Sequence, residues 1–80
     1  MINKEVIEHN LLNIFELYGI HLTKENYSDQ LVVDSLQFIS IIIEIEEKFL
    51  IRISEDYYDY NKMKSFNDYV YCITSYLNGK

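Results

Sequence analysis

The stretch that decides the fold is Asp34-Ser35-Leu36-Gln37-Phe38-Ile39-Ser40-Ile41-Ile42-Ile43-Glu44-Ile45-Glu46-Glu47-Lys48-Phe49-Leu50. At about 100° per residue, Phe38, Ile41, Ile42, Ile45 and Phe49 gather on one side of a helix. Gln37, Glu44 and Lys48 gather elsewhere and face water. Asp34 or Ser35 can cap the free backbone N–H groups at the start, so the stretch reads as a helix running to about Leu50. The same wheel leaves a second apolar strip of Leu36, Ile39, Ile43 and Leu50, with Glu46 and Glu47 on its two sides and Ser40 near it. In one reading the preceding helix and loop cover this strip and it is more core, with Leu50 the best candidate for cover. In the other, Leu36, Ile39 and Ile43 stay partly exposed as an apolar contact patch fringed by carboxylates. The strip begins beside Ser35.

Working outward, Ile7, Leu11, Ile14, Phe15 and Tyr18 recur at helical spacing and predict a first helix over about residues 2–18. Gly19 follows where a helix end favours a residue free to take positive φ. Residues 21–33 hold no sustained period. Thr23, Asn26, Ser28 and Asp29 are loop and cap formers, and Leu31 and Val33 are the expected anchors of the loop to the core. Beyond Leu50, Ile51-Arg52-Ile53 alternates for too few residues to make a strand. Ser54 caps a short helix expected over residues 55–60, with Glu55 and Asp56 in its first turn. Ser65-Phe66-Asn67-Asp68 is a capping box with Asp in the acidic place, and Phe66, Tyr69, Val70, Ile73 and Leu77 form the buried stripe of a last helix.

Eighty residues make one domain, spanning 1–80, with little core to spend. Proline is absent and glycine occurs only at Gly19 and Gly79, which disfavours an all-β fold. The expected architecture is all-α, a small four-helix bundle of three main helices plus a short third one. A net charge of −6 disfavours nucleic acid and anionic membrane surfaces and suits brief encounters with basic protein partners. Cys72, the only cysteine, reads as a buried helical thiol that cannot form an internal disulfide. The first residues lack the pattern of a signal peptide, so the cytoplasm is the expected location. His9 and His21 lack partners at metal spacing and read as surface residues, and no metal site is expected. Tyr57, Tyr58 and Tyr60 crowd the short helix, as core packing or, in the alternative, as the lining of a cargo groove or a partner surface.

Asp34-Ser35-Leu36, followed by Glu46-Glu47-Lys48-Phe49 and then Ile51-Arg52-Ile53, resembles the acyl and peptidyl carrier protein family. In that family an Asp-Ser-Leu motif opens the second helix, an acidic stretch and a phenylalanine end it, and an Ile-x-Ile-like segment leads to a short third helix. Phe66, Tyr69 and Val70 match the pattern that opens the family's last helix. The resemblance covers essentially the whole chain and is strongest between Leu31 and Val70. Val33 stands where the family often has glycine, Ser54 where a proline often follows, and Gln37 where fatty-acid carriers are often acidic. These departures favour a specialised pathway.

The resemblance implies an acyl-carrier-protein-like fold and a 4′-phosphopantetheine arm carried on Ser35, donated by coenzyme A through a phosphopantetheinyl transferase that uses magnesium. Asp34 would orient that transferase, cap the helix, or both. Leu36, Ile39 and Ile43 would give the apolar contact to partners. Glu44, Glu46 and Glu47 would meet basic docking surfaces on acyl- or aminoacyl-loading and condensing enzymes, or else form a solvated helix face. The chain would be a monomeric shuttle and not an enzyme. An isolated serine needs an external base, and no nearby His serves Ser35, which also argues against a small hydrolase. The alternative is an unmodified helical adaptor that docks one partner through the second helix. Fatty acyl, polyketide, aminoacyl and D-alanyl loads all remain open.

Overall fold

Asn3 opens the first helix, α1 (Lys4–Leu17), by accepting a hydrogen bond from the Val6 N–H at 3.0 Å on its side-chain oxygen. The architecture is that of a computed structural model, which describes residues 3–57 and 62–78, with only the backbone of Tyr57. α1 buries Ile7, Leu11, Ile14 and Phe15, as their spacing predicts, and Tyr18 packs against the core from its end. Gly19 then takes φ +76°. Its N–H bonds the Glu16 carbonyl and the Ile20 N–H bonds the Phe15 carbonyl, each at 3.1 Å, so the helix closes in a Schellman motif.

The second helix, α2 (Ser35–Phe49), turns Phe38, Ile41, Ile42, Ile45 and Phe49 inward, the five residues of the expected core stripe. It stops in the same manner as α1, but with a leucine in glycine's place. Leu50 sits at φ 56°, ψ 46°, and the Ile51 N–H reaches back to the Glu46 carbonyl at 3.2 Å. A left-handed backbone costs an L-residue about 1–2 kcal/mol, and Leu50 is 89% exposed, so little packing offsets that cost. Leu50→Gly is therefore expected to raise the unfolding free energy by about 0.5–1 kcal/mol in urea titration, after glycine's extra unfolded-state entropy is subtracted.

The third helix, α3 (Phe66–Asn78), begins with the reciprocal cap read from the sequence. The Asp68 N–H donates to Ser65 Oγ at 3.3 Å, and Asp68 Oδ2 accepts from the Ser65 N–H at 3.1 Å and the Lys64 N–H at 2.9 Å. Its inner face holds Phe66, Tyr69, Val70, Cys72 and Ile73. The result is a small all-helical bundle in which α1 packs against both α2 and α3. Among the described residues there is no strand, only an isolated antiparallel bridge between Gln30 and Ser65. An aromatic row runs through the core. Phe38 meets Tyr69 edge-on at 6.4 Å between centroids, Tyr69 meets Phe15 at 5.2 Å, and Phe15 meets Phe66 at 5.7 Å.

The two connections depart from the sequence reading. The long loop contains a 3-10 turn at Lys24–Asn26, closed by Thr23 and Asn26 through reciprocal bonds. Leu31 is buried as expected, while Val33 is only half-buried. Tyr27 anchors the loop as well, its ring 4.3 Å from that of Phe66. Of the short helix expected over residues 55–60, the described residues form a 3-10 turn, Glu55–Tyr57. Tyr58 and Tyr60, and the side chain of Tyr57, lie outside the described residues, and so does the rest of that segment.

Burial raises the Cys72 thiol to about 11. A thiol so held should resist alkylation at neutral pH until the chain unfolds. Its folded pKa lies above the ordinary value of 9.0, so the unfolded chain loses this proton first. Cys72 therefore subtracts stability as pH rises from about 9 to about 11, at up to about 1.4 kcal/mol per pH unit. Comparison of urea curves with Cys72→Ala across that range checks the slope.

Candidate functional site

The site begins where the loop turns into α2. Asp34 stays extended, with φ −84° and ψ 171°, and is the N-cap. Its carboxylate accepts from the Gln37 N–H at 2.8 Å, and its carbonyl accepts from the Phe38 N–H at 2.9 Å. Ser35 is thus the first residue of α2, and its side chain is exposed to solvent. Ser35 therefore stands at the positive end of the helix dipole, where the Asp34 carboxylate already takes the Gln37 N–H.

Leu36 follows at 77% exposure and Ile43, two turns on, at 47%. Leu50 continues the line at 89%, so the best candidate for cover is the most open of the three. Ile39 is the exception, half-buried against the core. The strip is therefore a surface feature over most of its length. It arises because Leu36 and Ile43 stand on the side of α2 opposite the buried Ile45, while Leu50 follows just past the helix end.

The three carboxylates differ. Glu47 is exposed beside the strip. Glu44 is half-buried and, with Asn10, Asn13 and Leu17, lines a groove of about 370 Å³ between α1 and α2. Glu46 is half-buried and accepts the Ile53 N–H at 2.8 Å, so it holds the chain after α2 in place. That bond helps bury Ile53, and the Tyr76 hydroxyl accepts from the Ser54 N–H at 2.8 Å to fix the next residue. Neither tie is visible in the sequence, because Glu46 is seven and Tyr76 twenty-two residues from its partner.

Among the described residues no nucleophile–base pair forms at Ser35. His9 stands on α1, and His21 lies after it with Nδ1 3.6 Å from a Glu16 carboxylate oxygen, both exposed. Among the described residues no group of His, Cys, Asp or Glu could hold a metal, and no helix is long and apolar enough to cross a membrane. What fold and site define together is a small all-helical bundle that offers one serine hydroxyl at a helix start, bordered by an open apolar strip. Compared with family models, with curated proteins and with solved structures, the chain matches none.

Proposed function

We propose that this protein is a carrier with the four-helix acyl-carrier-protein-like fold, bearing acyl or aminoacyl groups as thioesters on a 4′-phosphopantetheine arm at Ser35. The observation that carries the reading is the exposed Ser35 side chain as first residue of α2, held there by the Asp34 cap. A buried or mid-helix serine could not serve. The site suits the arm's phosphodiester, which would lie against first-turn N–H groups and the positive helix end.

During loading, Ser35 Oγ attacks the phosphorus that links pantetheine to the nucleotide in coenzyme A. The P–O bond to the adenosine bisphosphate breaks and that group leaves with the bond's electrons. The hydroxyl proton passes to a base on the transferase, since the described residues bring none to Ser35. Asp34 keeps the hydroxyl at the rim of the loop and would orient the transferase and its magnesium. The arm, when attached, supplies the thiol that forms the thioester. Leu36 and Ile43 give the enzymes an apolar contact, and Glu47 with the net charge of −6 steers basic surfaces toward it. Such contacts release quickly, as a shuttle among several enzymes requires.

Incubation with coenzyme A, magnesium and a broad-specificity transferase should add the mass of a single arm, and Ser35→Ala should add none. A chain that keeps its original mass would leave the strip as the face of a non-covalent adaptor.

A further inference from the structure

An arm at Ser35 can hold its cargo in the interior of the bundle or outside it. An apolar chain gains from leaving water, and the gain grows with every methylene withdrawn. It must, however, find space that side chains have left. The way in from Ser35 leads past Phe38, one turn along α2 and buried. Behind Phe38 stands Tyr69, behind Tyr69 stands Phe15, and both are completely buried. Ile41, Ile42 and Ile45 fill the rest of the inner face of α2. The Cα radius of gyration is 11.6 Å, which matches the roughly 12 Å expected of a tightly folded chain of this length. Among the described residues, a groove opens between α1 and α2 and another of about 490 Å³ along α1 and α3, and neither is lined by Ser35 or Leu36.

We infer that the cargo of this carrier rides outside the bundle and belongs to the small or polar class, an aminoacyl or short acyl group, with Phe38 as the residue that closes the interior to longer chains. The inference rests on the carrier reading. Phe38 and Tyr69 cannot both stay in their rotamers if a long chain enters between α2 and α3, because close-packed interiors keep no spare volume of that size.

The test loads the protein with coenzyme A thioesters bearing alanyl, acetyl or decanoyl groups. Intact mass first reports whether the arm is on Ser35, and failure there sinks the carrier reading and this inference with it. On loaded protein, thermal unfolding and the rate of thioester cleavage by hydroxylamine are measured against the same thioesters on free pantetheine. A cargo bound only by the folded state would raise the melting temperature, so the decanoyl form is expected to melt within about 2 °C of the acetyl form. Cleavage of all three should match the free thioesters within about twofold, a difference of under 1 kcal/mol in barrier. A decanoyl form that melts about 5 °C or more above the acetyl form, or is protected about tenfold, overturns the inference and leaves the carrier intact. Phe38→Ala, or Phe38→Leu should the alanine variant not fold, is expected to protect decanoyl selectively. Equal cleavage of decanoyl and acetyl in a folded Phe38 variant removes Phe38 as the closing residue.

Discussion

Phe66→Ala should lower the unfolding free energy by about 3–5 kcal/mol, the range for removing a large aromatic from a close-packed core. Phe66 is completely buried and lies at the crossing of three elements. Its ring meets Phe15 of α1 at 5.7 Å and Tyr27 of the long loop at 4.3 Å, and its backbone starts α3. Truncation leaves a cavity that neither ring can fill alone, and it takes away the surface on which Tyr27 holds the loop. A chain of eighty residues has only about 4–12 kcal/mol of stability to lose. The melting temperature should therefore drop by about 15–30 °C, as followed by circular dichroism. Phe66→Leu, which keeps most of the volume, should cost far less, and a loss equal to that of the alanine variant would show that volume is not what matters there.

Leu36→Asp should separate stability from function. Leu36 is 77% exposed at the second position of α2, so little buried area is lost. A carboxylate in a first helical turn is favourable by about 0.3–1 kcal/mol, and the melting temperature should stay level or rise. A charge at the head of the apolar strip must, however, be dehydrated at any interface formed there. Transfer of the arm to Ser35 should slow by about tenfold or more at limiting transferase, equivalent to 1.4 kcal/mol. Tyr71→Asp, an exposed position on α3, serves as the control and should leave the rate within about twofold. Unchanged loading of the Leu36 variant would remove the strip from the docking surface.

The helices were legible in the sequence because their signals are local. Ile7 to Phe15, Phe38 to Phe49 and Phe66 to Ile73 repeat at helical spacing, and Asn3, Asp34 and Ser65 can cap within three or four residues. Ser35 could be placed for the same reason, since a cap and the residue after it define a helix start. The connections were not legible, because what fixes them is distant in sequence. Tyr27 finds Phe66, Glu46 finds the Ile53 N–H, and Tyr76 finds Ser54 only once the helices have packed. Nor did the sequence show that Leu50 would end α2 in a left-handed turn and stand open instead of covered.

The loop before α2 is moored to the start of α3 at several points. The Leu31 N–H donates to the Lys64 carbonyl at 2.6 Å, the Asn67 N–H to the Tyr27 carbonyl at 3.1 Å, and the Asn67 amide to Ser28 Oγ at 3.1 Å. These moorings make the two helix starts one cooperative unit of local opening, so fraying of either should expose the amides of both to exchange together. Ser35 thus stands four residues from a clamp on the segment that opens α3, and its position in space is inherited from α3 as much as from its own helix.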